Sequence, residues 1–121
     1  MANEITLTLK LAVSKTYLVH TENPGTIQVT MSGSTATGGA QAIGTTAEAI
    51  TITDVSTAGY AYFRNTSSTE YVELGTGTGG SFVAFGKLKA GEACILRLGT
   101  NAPTARAQTS TVNLQFYILA D

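Results

Sequence analysis

Hydrophobic and polar residues alternate most clearly at the start of the chain. Ile5, Leu7, Leu9, Leu11 and Val13 are separated by Thr6, Thr8, Lys10 and Ala12, the period of two that sends successive side chains to opposite faces of a strand. At about 3.3 Å per residue such a strand spans roughly 30 Å, long for a small domain. Tyr17-Leu18-Val19 forms a short second apolar piece. Asn23-Pro24-Gly25 predicts a turn, because Pro fixes φ and Gly supplies positive φ. Ile27, Val29 and Met31 then alternate with Gln28 and Thr30 as a further strand.

Residues 32–47, SGSTATGGAQAIGTTA, show neither period and read as a long surface loop with a short strand near Ile43. Ile50 and Ile52 alternate with Thr51 and Thr53, and Ala58-Gly59 predicts a turn before the strand Tyr60-Ala61-Tyr62-Phe63-Arg64. Asn65-Thr66-Ser67-Ser68 is a polar turn, and Tyr71-Val72-Glu73-Leu74 a strand. A glycine-rich turn over residues 75–81 leads into Phe82-Val83-Ala84-Phe85. Lys89-Ala90-Gly91-Glu92 forms a tight connection into residues 93–98, where Cys94, Leu96 and Leu98 share a face. After a polar loop at 99–110, the chain closes with Val112, Leu114, Phe116 and Ile118 inward and Asn113, Gln115 and Tyr117 outward. Eight to nine strands with glycine-rich turns and no amphipathic helix predict an all-β fold. We expect one antiparallel β-sandwich domain over residues 1–121, jelly-roll-like; the missing Trp and Cys pair disfavour an immunoglobulin topology.

Composition sharpens this picture in one respect. Charged residues make up 12% of the 121, about half the usual fraction. Threonine fills the difference, giving an exterior that is polar yet cheaper to desolvate than one of Lys and Glu. With a formal net charge of -1, no nucleic-acid partner is expected, since phosphate neutralisation needs clustered Lys and Arg. No apolar run reaches membrane-helix length, so no membrane is expected either. Met1-Ala2-Asn3-Glu4 lacks the basic and apolar regions of a signal peptide, and no export is expected.

Chemical motifs fare poorly. Gly75-Thr76-Gly77-Thr78-Gly79-Gly80 satisfies G-x-G-x-x-G, but that fingerprint must open a helix, and a strand follows here. Gly86-Lys87-Leu88 has Leu where a phosphate loop needs Ser or Thr. His20, the single histidine, has no nucleophile elbow or second histidine to serve, and reads as a turn residue. Cys94 reads as a small buried hydrophobe. Glu70 and Glu73, at odd spacing, point to opposite faces, and Glu92 and Asp54 stand apart. Asn65-Thr66-Ser67 matches a glycosylation sequon but reads as a turn. No catalytic residue, cofactor or metal is expected, and the chain is not expected to be an enzyme.

What remains are surfaces. Tyr60, Tyr62 and Arg64 share one strand face, either an outward face for protein contact or sugar stacking, or an inward face ending in Arg64. Asn113, Gln115 and Tyr117 form a second uncharged outward face. Low charge lowers the cost of burying either in an assembly.

Gly59-Tyr60-Ala61-Tyr62-Phe63-Arg64-Asn65, Glu70-Tyr71-Val72-Glu73-Leu74-Gly75, Lys87-Leu88-Lys89-Ala90-Gly91-Glu92, Ile95-Leu96-Arg97-Leu98 and the alternating strand 112–119 resemble small structural proteins of tailed bacteriophages. The resemblance covers residues 50–121, with a weaker match in the opening strand. It implies a jelly-roll-like virion component, best matched by a capsid decoration (cement) protein. Such a protein would be made in the host cytoplasm and sit on the head surface as a homo-oligomer, often a trimer. Its partners would be the major capsid protein and copies of itself, and the pattern carries no catalytic residues. On docking, the arm 1–4 or the loop 32–47 would order against the lattice. The alternative is a carbohydrate- or receptor-binding module of a phage tail or fibre, with Tyr60, Tyr62 and Arg64 as a stacking platform. A bacterial coat or adhesin subunit is disfavoured by the missing export signal.

Overall fold

The computed structural model describes residues 2–121, so Met1, part of the arm 1–4, lies outside the described residues. Ten strands are present among them: β1 (Ile5–Lys15), β2 (Leu18–Val29), β3 (Ala36–Ile43), β4 (Glu48–Ala49), β5 (Ala58–Asn65), β6 (Val72–Thr76), β7 (Val83–Leu88), β8 (Ala93–Arg97), β9 (Thr104–Ala107) and β10 (Val112–Ala120). The chain divides into two units, residues 1–32 and 33–121.

The first unit is the hairpin β1–β2. Its strands pair from Ile5↔Val29 to Lys15↔Leu18, leaving Thr16 and Tyr17 as a two-residue loop. The expected turn at Asn23-Pro24-Gly25 is instead part of β2. The register slips there, between Leu9↔Gly25 and Leu11↔Glu22, so that Asn23 and Pro24 face Lys10 alone. A bulge accommodates Pro24, which has no N–H for the ladder, and Asn23 Oδ1 accepts from Gly25 N at 3.0 Å. The reversal falls at Thr16, whose φ is 51°.

The second unit is an antiparallel sandwich of two four-stranded sheets, ordered β3-β10-β5-β8 and β4-β9-β6-β7. Of its eight strands, the first pairs with the last, the second with the seventh, the third with the sixth and the fourth with the fifth. A long hairpin folded over on itself gives this nesting, and β10–β5 and β9–β6 close the two sheets. This is the jelly roll. The core between the sheets includes Ile43, Phe63, Val72, Leu74, Leu114 and Ile118. Phe63 and Phe116 stand opposite each other in register and face inward.

Three local expectations differ from the structure. Residues 36–43, expected as loop, form the edge strand β3 along β10. Ala58 and Gly59 begin β5 rather than turning; both are buried, and a Cβ on Gly59 would come 3.1 Å from Asp121 Cα. Ile50 and Ile52 lie just beyond the two-residue β4. There the Thr51 N–H donates to Gln41 Oε1 at 2.8 Å instead of extending a ladder. The tight connection at 89–92 is present: Glu92 N donates to Lys89 O at 3.0 Å, Lys89 N to Glu92 Oε1 at 2.8 Å, and Gly91 has φ 80°. It carries the chain from the edge of one sheet (β7) to the edge of the other (β8).

Candidate functional site

Along β5, Ala61, Phe63 and Asn65 are buried, while Tyr60 and Tyr62 are partly exposed and Arg64 is exposed. Alternation therefore turns Tyr60, Tyr62 and Arg64 outward. On β10 the same period buries Val112, Leu114, Phe116 and Ile118 and exposes Asn113, Gln115 and Tyr117. Register brings the two sets onto one sheet face. Tyr62 lies opposite Tyr117, and Arg64 opposite Gln115. Ile95 and Gly38 extend the first row, Ala93 and Ala40 the second.

The tyrosine row is exposed, with Tyr117 at 52% and Ile95 at 38%. A Cβ placed on Gly38 would stand 2.3 Å from Tyr117 Cδ1, so the ring lies across the glycine. An aromatic ring covering a cross-strand glycine shields the backbone of the edge strand. At one end, Arg97 lies opposite Tyr60 with its guanidinium 4.5 Å from the ring centroid, a cation–π distance. Arg97 Nη1 also donates to Asp121 Oδ1 at 2.6 Å, and that hydrogen bond raises the guanidinium above its ordinary pKa. At the other end, Thr66 Oγ1 donates to the Asn113 carbonyl at 2.6 Å. Between these ends Arg64 is the only charged residue at an outward position of the paired strands.

The outer face of the other sheet is different in kind. Glu73 lies opposite Lys87 on one side and Arg106 on the other. Arg106 donates to Glu73 Oε1 from Nη2 at 2.7 Å and Nε at 3.2 Å. The Arg106 guanidinium lies 4.6 Å from the Phe82 ring centroid, and Lys87 Nζ 4.4 Å from that of Tyr71. Glu73 and Arg106 thus form an ion pair, and Lys87 rests on an aromatic ring. Only the first sheet presents an aromatic, amide and small-residue surface.

Most of the other candidates have structural partners. Glu70 accepts hydrogen bonds from the Thr109 and Ser110 hydroxyls, the latter at 2.7 Å, and these hold its carboxyl below the ordinary value. Glu48 Oε2 accepts from Gly44 N at 3.3 Å, and Glu92 closes its own turn. Asp54 has φ 60° in the bend after Ile52. His20 is exposed on the hairpin, 2.6 Å from Glu22 Oε1. Cys94 packs against the core, where burial pushes its thiol up, the reverse of an activated nucleophile. Among the described residues no three His, Cys, Asp or Glu gather as a metal site. The glycine-rich run is the β6–β7 loop: Gly77 has φ 81°, and the three-residue 3-10 turn at 79–81 opens no α-helix. A Cβ on Gly75 would stand 2.2 Å from the Val83 carbonyl oxygen.

Sequence reasoning missed Gly38, Ile95, Arg97 and Asp121 as members of the face, because their place depends on register. It also missed the role of Asn65. This residue is fully buried; its Nδ2 donates to the Glu70 and Leu88 carbonyls at 2.7 and 3.0 Å, and its Oδ1 accepts from Ser67 N at 2.9 Å. The sequon asparagine is thus enclosed, its amide committed to holding the end of β5. Comparison of the chain with protein-family models, curated proteins and solved structures finds no match.

Proposed function

We propose that the chain is a virion structural protein of a tailed bacteriophage, a capsid decoration (cement) protein that adheres to the assembled head. The observation that carries the reading is the asymmetry between the two outer sheet faces. One face carries Glu73, Lys87 and Arg106, while the other offers Tyr62, Tyr117, Ile95 and Gln115 with little charge to desolvate. Such a face loses less on burial than a charged one. The sequence resemblance to phage structural proteins supports the same reading.

Its mechanism is mechanical. Copies seated where capsid subunits meet add binding free energy to the closed shell only, and so oppose rupture by internal DNA pressure. Homo-oligomers, trimers among them, multiply that effect by engaging several subunits at once. The partners in this reading are the major capsid protein and other copies of the chain, and its location is the capsid surface. Cryo-electron microscopy of virions tests it: density for the jelly roll is expected on the head, and density at the tail tip, or none on the particle, overturns it.

The side-by-side Tyr62 and Tyr117 favour one alternative, a glycan-binding module of a tail or fibre, since exposed aromatic rings stack on sugars. Binding on a glycan array that is lost in Tyr62→Ala would favour that alternative over cement.

A further inference from the structure

The sandwich ends in four edge strands, β3 and β8 on one sheet and β4 and β7 on the other. An open edge presents unpaired backbone groups, and proteins commonly protect it with shortness, bulges, proline or charge. β4 is only two residues long. β7 is bulged at Phe85, where the register passes from Leu74↔Gly86 to Gly75↔Ala84, and it carries Lys87. β8 is five residues long and ends in Arg97. β3 has none of these devices. Its eight residues, Ala36–Ile43, include no charge and no proline, and its register with β10 is unbroken.

The ladder fixes which backbone groups of β3 are open. Ala120 N donates to the Thr35 carbonyl at 2.8 Å, in line with the pairs from Leu119↔Ala36 to Val112↔Ile43. Alternate residues of an antiparallel pair turn their N–H and C=O toward the partner, so Thr37, Gly39, Gln41 and Ile43 turn theirs to β10. Ala36, Gly38, Ala40 and Ala42 turn theirs off the sheet, and among the described residues these groups make no hydrogen bond to another segment. The inner side of this edge is a groove. Thr37 Oγ1 lies 3.2 Å from Thr53 Oγ1; Gln41 Nε2 donates to the Ala49 carbonyl at 3.0 Å, and its Oε1 accepts from Thr51 N at 2.8 Å. Between these two brackets Gly39 has no side chain, and a Cβ there would meet nothing within 4 Å. A groove of about 350 Å³ results, floored by Phe116, the partner of Gly39 on β10, and walled by Thr51 and Thr53.

We propose that β3 is a docking edge for an extended, uncharged peptide segment of another protein, which adds to the sheet as a further strand and places an apolar side chain in the gap at Gly39. A row of open N–H and C=O groups recognises extended backbone, and pockets for alternate side chains add specificity. Cross-strand partners share a face, so the residue opposite Gly39 points into the groove over the Phe116 ring. No charged side chain lines the groove, and a charge placed there would lose its water without gaining a partner. The wall also bears on what the occupant is. Two copies pairing β3 to β3 would bring their 49–53 segments against each other, whereas a single extended segment ends at Thr51 and Thr53. The inference does not rest on the capsid reading.

The test is NMR of the isotope-labelled full chain with two capped threonine peptides, one with a central leucine and one with a central glutamate. Saturable binding of the leucine peptide is expected. Amide hydrogen exchange should slow at Gly38, Ala40 and Ala42 and stay unchanged at Thr37, Gly39 and Gln41, which already face β10. The glutamate peptide is expected to bind at least about tenfold more weakly. Ala40→Pro removes one open N–H, adds a ring at the edge and leaves the β10 ladder its donors; a loss of at least about tenfold in affinity is expected. No binding, equal binding of the two peptides, protection without the alternation, or wild-type affinity in a folded Ala40→Pro each overturns the proposal. So does a two-chain mass by light scattering that Ala40→Pro returns to 12.5 kDa, the outcome of β3 pairing with a second copy. Should Ala40→Pro unfold, the exchange pattern of the wild type decides by itself.

Discussion

At the scale of single residues, the structure depends on polar groups that the alternation of the sequence does not reveal. Asn65 satisfies two carbonyls and one N–H at the junction of β5 with the loop after it. Asn65→Ala leaves those groups without their partner inside the fold, at about 1–3 kcal/mol for each one stranded. The expected loss in urea unfolding is about 3 kcal/mol; an unchanged midpoint would show that the amide is dispensable. Glu70 makes a smaller, pH-dependent contribution. Its folded pKa lies below the ordinary carboxylate value because the Thr109 and Ser110 hydroxyls favour the charged form. Stability from this group is therefore present above the unfolded pKa and lost as pH falls through the lower folded one. Glu70→Gln is expected to unfold earlier than wild type at neutral pH, with the difference disappearing in acid; equal midpoints at neutral pH would refute the linkage.

Among the elements, legibility followed hydropathy. β10 is readable from Val112 to Ile118 because each inward position there is large and apolar and each outward one is Asn, Gln or Tyr. β3 is not. Its outward positions are Ala36, Gly38, Ala40 and Ala42, and only Ile43 at its end is an apolar core residue. Its strand character comes from β10 alongside and the Tyr117 ring across Gly38, both contributed from far along the chain. β2 was read as two pieces because Pro and Gly usually end a strand, whereas a bulge carries them through the ladder here. The two sets Tyr60, Tyr62, Arg64 and Asn113, Gln115, Tyr117, separate in the sequence reading, lie on one sheet face, and that Tyr62 meets Tyr117 depends on pairing between distant strands. The β6–β7 hairpin supplies an element-scale test. Gly75→Ala forces its methyl group against the Val83 carbonyl, and we expect a loss of about 2–3 kcal/mol in chemical unfolding. Wild-type stability would mean that this close approach is not maintained in solution.

For the whole molecule, the low charged fraction now has a spatial distribution. The outer face of one sheet carries Glu73, Lys87 and Arg106, with Arg106 ion-paired to Glu73. The opposite sheet is left nearly bare, and the hairpin exposes Leu9, Leu11, Val13 and Leu18 beside Lys15, His20 and Glu22. In the proposed function the bare sheet meets the capsid. Substitutions at Tyr62 and Tyr117 act on that contact.

The most direct measurement is co-sedimentation of the purified chain with heads assembled from the major capsid protein of the genome that encodes it. Saturable binding is expected, abolished in the folded double variant Tyr62→Asp/Tyr117→Asp. A chain left in the supernatant at every concentration, or a double variant that binds as well as wild type, would contradict the account.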